Sequence, residues 1–91
     1  MLTLKLSDLI FTYEKNNQNL TCKEYWEEEG EAFDKTNSTD ILCMITEVCR
    51  LLNIDDLYGA KRMEATIHTD APMFAWNRRL LKNWLVDNFQ Y

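Results

Sequence analysis

The stretch DILCMITEVCRLLN, residues 40–53, constrains this chain more than any other. At about 100° per residue, Ile41, Met44, Ile45, Val48, Leu51 and Leu52 fall on one side of a helix, and Leu42 and Cys49 widen that side to about half the circumference. Thr46, Arg50, Cys43 and Glu47 share the remaining arc. An apolar arc this broad touches neighbours on two sides at once, which suits the middle helix of a bundle better than a surface helix. The spacing therefore predicts an all-α single domain, residues 1–91, with four to five helices closed around a central helix at 40–52.

The punctuation agrees. Two glycines and one proline in 91 residues are too few for the many turns of an all-β domain. With 46% apolar residues, among them three Trp, four Tyr and four Phe, the chain can bury one core.

Taken in order, Leu2, Leu4 and Leu6 alternate with Thr3, Lys5 and Ser7, which predicts a short extended N-terminal segment, or an edge for a second copy to pair with. Ser7-Asp8 is a helix start, and Leu6, Leu9, Ile10 and Tyr13 have the spacing of a helix over 8–14 that the polar run 16–19 stops. Thr21-Cys22-Lys23-Glu24 fits a capping box. The helix it opens is expected to reach Phe33, turning Cys22, Trp26 and Phe33 inward, with Tyr25 and Ala32 flanking. Glu24, Glu27, Glu28 and Glu31 occupy its other side.

Asn37-Ser38-Thr39 supplies the cap for the central helix. Beyond the turn at 53–56, residues 57–67 read as a further helix, with a short strand at 65–68 as the alternative. Asp70-Ala71-Pro72 has the form of a helix start, so the last helix is expected from there to about Asn88. Met73, Trp76, Leu80, Leu81 and Trp84 form its apolar side, with Phe74 and Leu85 at the margin and Arg78, Arg79 and Lys82 opposite.

Three cysteines without a C-x-x-C pair, two of them (Cys43 and Cys49) on different faces of one helix, read as reduced thiols. The start of the chain lacks the pattern of a signal peptide, and no apolar run approaches the ~20 residues that cross a bilayer. A cytoplasmic protein with no membrane contact is the expectation. His68, the only histidine, reads as a lone surface or turn residue. Structural zinc would need four ligands, and no nucleophile elbow, phosphate loop or H-E-x-x-H is present. Neither catalysis, nor a cofactor, nor a metal is expected.

Charge is distributed unevenly. Residues 1–45 carry nine acidic and four basic side chains, and residues 46–91 carry six of each, so the first half holds the whole net charge of −5. This disfavours sequence-independent binding to nucleic acid. The glutamate face at 24–31 is either a solvated side or a negative patch that steers a basic partner. Arg78, Arg79 and Lys82 either pair with that acidic helix or contact phosphates, with Trp76 and Trp84 as core or as stacking platforms. Val86, Phe89 and Tyr91 at one end, and Met1, Leu2 and Leu4 at the other, lie off the main apolar stripes, as interface residues do.

The opening SDLIFTYEKNNQNLTCKEYWEEEGEAF resembles the start of small tailed-phage accessory proteins. In these a helix ending in Tyr-Glu (here Tyr13-Glu14), a polar turn and a leucine (Leu20) precede an acidic helix ending in an aromatic (Phe33). That resemblance implies action by binding a host protein. The sequence thus points to a small acidic protein-interaction module acting by surface occupation, as an inhibitor or modulator in a host cytoplasm. Its partner would be another protein, or a second copy in a homodimer. The partner-binding set is Glu24, Glu27, Glu28, Glu31, Arg78, Arg79, Lys82, Phe89 and Tyr91. The rival reading is a nucleic-acid-binding regulator using the basic face of the last helix.

Overall fold

The computed structural model describes residues 3–16, 20–72 and 77–89. Among the described residues four helices follow a 3-10 turn at Leu6–Asp8: α1 (Cys22–Glu27), α2 (Ser38–Leu52), α3 (Leu57–Thr69) and α4 (Arg78–Asn88). Among the described residues there is no strand. Two isolated bridges pair Lys15 with Asn37 and Ala32 with Asn77. The fold is a small all-α bundle.

The central position of α2 follows from its two sharp ends and its broad apolar arc. Asn37 caps the start, its side-chain oxygen accepting from the Thr39 amide at 2.9 Å. Asn53 stops it in the left-handed region (φ 58°), which asparagine tolerates better than most residues. Between these ends α2 packs against α1, α3 and α4. Ile41, Met44, Ile45 and Val48 are fully buried, and Phe33, Ile54, Met63, Ile67, Leu81 and Leu85 close the core around them. At roughly 2 kcal/mol per buried large aliphatic side chain, this cluster is the main source of stability.

The arc is not the one the periodicity outlines. Cys43, on its polar side, is buried, whereas Leu51, on its apolar side, is 42% exposed. The cause is α1, which lies over Cys43. A Cys22–Cys43 disulfide joins the two helices, and the Trp26 indole N–H donates to the Cys43 carbonyl at 3.4 Å. The expectation of three reduced thiols is therefore corrected: two form a bridge, and only Cys49 is free. Helix pattern alone could not show this, because the bridge depends on the approach of two separate elements.

Three element expectations are also corrected. The helix over 8–14 is absent, and the chain continues beyond the Leu6–Asp8 turn without regular structure. The amides of Ile10 and Phe11, which a helix would need, are bonded to the Glu64 carboxylate instead. The acidic helix ends at Glu27, well short of Phe33. Glu27, Glu28 and Glu29 crowd its C-terminal end, where negative charge opposes the helix dipole, and Gly30 follows. Asp70 is the C-cap of α3 rather than the N-cap of the last helix. α4 opens at Arg78 under the cap of Asn77, whose side chain accepts from the Leu80 amide at 2.7 Å.

Residues 65–68 are helical, part of α3, not a strand. Starting α4 at 78 also shifts its inner face: Leu81 and Leu85 are buried, Leu80 is 45% exposed and Trp84 is only partly buried. Met73, Phe74 and Trp76 lie outside the described residues, as do Met1, Leu2 and Tyr91. The backbone at Lys5 is extended.

Candidate functional site

The acidic segment and the basic helix meet, and the basic side chains turn inward. The first amides of α4 are satisfied by carbonyls of the turn after α1: Arg78 N–H donates to Glu31 O and Arg79 N–H to Glu29 O, each at 3.0 Å. A helix start left without such acceptors would hold unpaired donors, so this pairing fixes the acidic turn to α4. The Arg78 guanidinium then folds under α1. Its Nη1 donates to Tyr25 O at 2.8 Å and to Glu28 O at 3.4 Å, and its Cζ lies 3.8 Å from the Tyr25 ring centre.

Beneath it sits Asp40, almost wholly buried, its Oδ1 3.7 Å from Arg78 Nε. Burial lifts the Asp40 carboxyl above the usual carboxylate range, and Tyr25 and then Arg78 pull it back. The Tyr25 hydroxyl is driven upward, first by burial and then by the carboxylate beside it. Lys82 follows the same route, with Nζ 3.6 Å from Glu29 and 5.1 Å from the Trp26 ring centre. Arg78 and Lys82 are thus committed to holding α1.

What remains outward is mainly negative, with Lys23 and Arg79 the exposed cations nearby. Glu24, Glu27, Glu28 and Glu31 are exposed. Glu24 is occupied locally, accepting from Thr21 N–H at 3.1 Å to complete the capping box. This backbone bond, with a second from the Thr21 hydroxyl, draws its carboxyl below the usual range. Glu27, Glu28 and Glu31 form no ion pair among the described residues. Arg79 is exposed at the edge of this ridge.

A second cluster joins the N-terminal segment to α3. Glu64, 1% exposed, receives three bonds: Ile10 N–H at 2.7 Å, Phe11 N–H at 3.1 Å and the Tyr13 hydroxyl at 2.5 Å. The Tyr13 oxygen is also 2.9 Å from His68 Nε2, and the Phe11 and His68 rings lie 4.5 Å apart. Burial, followed by the Glu64 bond and charge, pushes the Tyr13 phenol far above its ordinary value.

His68 is therefore not a lone histidine, contrary to its reading in the sequence. Its Tyr13 partner is remote in sequence and could not be seen there. A signal for Glu64 was present, however: Ala60, Met63, Glu64 and Ile67 share one face of α3, so a carboxylate stands among apolar neighbours. Buried carboxylates need bonds.

The C-terminal end is less distinct. Phe89 is half-buried against the core, and Arg62 reaches over its ring at 5.6 Å and over Tyr58 at 5.9 Å. No group of three or more potential metal ligands occurs among the described residues, and none of their helices is long and apolar enough to cross a membrane. Compared with family models, curated proteins and solved structures, the chain shows no match.

Proposed function

We propose that this chain is a protein-interaction module that presents the acidic ridge after Thr21 to a basic surface of another protein and acts by covering that surface. One observation carries the reading. The fold turns Arg78 and Lys82 inward to anchor α1, while Glu27, Glu28 and Glu31 stay exposed and without ion pairs among the described residues. Opposite charges brought so close usually cancel across a surface. Here they are largely sorted instead, with Arg78 and Lys82 beneath and the carboxylates above, Lys23 and Arg79 being the exposed exceptions. Such a ridge steers a basic partner by raising the association rate and penalises acidic competitors. Glu24 and Arg79 flank the contact. The resemblance of residues 7–33 to tailed-phage accessory proteins supports a host protein as the partner and a modulating role.

The nucleic-acid reading is less favoured on the same ground, since Arg78 and Lys82 are spent internally, which leaves it Arg79 with Lys61 and Arg62, all exposed. The test is affinity capture from a bacterial host lysate with the wild type and with a Glu27→Gln, Glu28→Gln, Glu31→Gln variant. A basic protein retained by the first and lost from the second is the expected result, with retention falling as salt rises. A partner held equally by both would overturn the ridge as the contact.

A further inference from the structure

We propose that the cleft between residues 11–14, the Lys35-Thr36 turn and the last turns of α3 binds a free α-amino acid, its carboxylate on Lys35 and its ammonium on Glu14 and the His68 ring. The cleft is about 300 Å³, at the small end of ligand pockets, which run from about 300 to 1,000 Å³. It is independent of the acidic ridge.

The assignment begins with proton accounting. A tyrosine hydroxyl has one proton to give, and Tyr13 gives it to Glu64 Oε2 at 2.5 Å. His68 Nε2, 2.9 Å from the Tyr13 hydroxyl oxygen, must then be the donor, which assigns the ring to the Nε2–H tautomer by its network. Nδ1 is left with a lone pair and accepts from a ligand N–H. The buried Glu64 carboxylate orients the whole chain of bonds.

The walls supply the rest. The Thr36 hydroxyl donates to Asp34 Oδ1 at 2.6 Å, so its oxygen is a second acceptor. Lys35 and Glu14 both line the cleft, both are exposed, and neither is within ion-pair distance of an opposite charge among the described residues. Lys35 and His68 line the same cleft. Phe11, 42% exposed and tilted against the imidazole, offers an apolar wall.

A cleft lined by a lysine and a glutamate, neither in an ion pair among the described residues, discriminates by default. A simple amine satisfies Glu14 and Nδ1 but leaves Lys35 unmatched. A simple carboxylate satisfies Lys35 but brings no donor to Nδ1 and meets the like charge of Glu14. A zwitterion with an apolar side chain answers all of them.

Because the chain has a single histidine, its ring proton resonances report on this site alone. The experiment follows them at about pH 8, where an imidazole held below its usual range is neutral, while L-phenylalanine, phenethylamine or 3-phenylpropanoate is added. The expected result is a saturable shift with phenylalanine and binding about tenfold weaker for each single-charge analogue, the worth of one charge-assisted contact. Lys35→Gln removes the preference over phenethylamine, and Glu14→Gln removes the preference over 3-phenylpropanoate. Both positions are exposed, so neither change disturbs the core. The proposal is overturned by no saturating shift up to about 10 mM phenylalanine, by equal responses to the three compounds, or by preferences that survive both substitutions.

Discussion

Glu64 shows what a single misplaced-looking residue decides. Its spacing puts it on the apolar face of α3, and the fold uses it there to hold Ile10, Phe11 and Tyr13. Replacing it by alanine strands three donors in a partly buried place, each lost bond costing about 1 kcal/mol or more. Glu64→Ala is accordingly expected to lose about 3 kcal/mol in denaturant unfolding, with residues 9–16 freed from α3. Glu64→Gln keeps one acceptor oxygen and loses less. His68 adds a pH dependence whose sign is fixed. Burial holds its imidazole below the ordinary value, the Glu64 charge opposes this and the Lys35 charge reinforces it. The unfolded chain therefore takes up the proton first, and stability falls as pH drops through about 6.5 towards the folded value. Unfolding free energies at about pH 7.5 and 5.5 should differ in the wild type and differ less in His68→Gln. None of this partnership could be read in the sequence. The spacing of Leu6, Leu9, Ile10 and Tyr13 is truly helical, and a long-range carboxylate outweighs it.

Among the elements, α1 depends most on its surroundings. Six residues are far too few to hold a helix in isolation, and the capping box at Thr21, legible in the sequence, stabilises only its first turn. The rest is tertiary: the Cys22–Cys43 bridge, the Trp26 indole on α2 and the Arg78 fork under Tyr25. Removing the guanidinium leaves Asp40 buried without its cation, a loss of about 3–5 kcal/mol in comparable pairs. Arg78→Ala is expected to fall in that range by denaturant unfolding. Arg78→Lys is expected to keep part of the charge pairing but not the two carbonyl bonds, since a point charge cannot reproduce the fork. The bridge closes a loop across a sequence separation of 21, which contributes about 3 kcal/mol in the chain-entropy account. Thiol titration tests its presence directly. Cys49 is buried and its thiol is pushed up to about 11 by burial and then by Asp56, so the native protein should show no fast-reacting thiol. Denaturation should expose one, and denaturation with reductant all three.

At the scale of the whole molecule, the order of stability should follow distance from α2. The pattern Ile41, Met44, Ile45, Val48 was legible because the core residues of α3 and α4 close on the side its apolar residues mark, whereas buried Cys43 and exposed Leu51 depart from it because α1 covers the polar side, a packing the sequence could not show. α2 meets α1, α3 and α4, so none of its central amides can open without separating it from most of the core. The N-terminal segment, by contrast, is held to the rest by the Glu64 bonds, by backbone and side-chain bonds of residues 15–16 to residues 36–39, by the Lys15–Asp34 ion pair and by the partly buried Leu4, Leu9 and Tyr13. Native-state hydrogen exchange grades such differences, since local openings cost less than global unfolding. The amides of residues 43–50 are expected to exchange last, with an opening free energy equal to that of global unfolding by denaturant. Those of Ile10 and Phe11 should exchange well before them despite their short bonds to a buried carboxylate, because freeing them exposes one strap and leaves the bundle closed. If α2 exchanged as early as the strap, the bundle would not be organised around it, and the acidic ridge would have no rigid base from which to meet a partner.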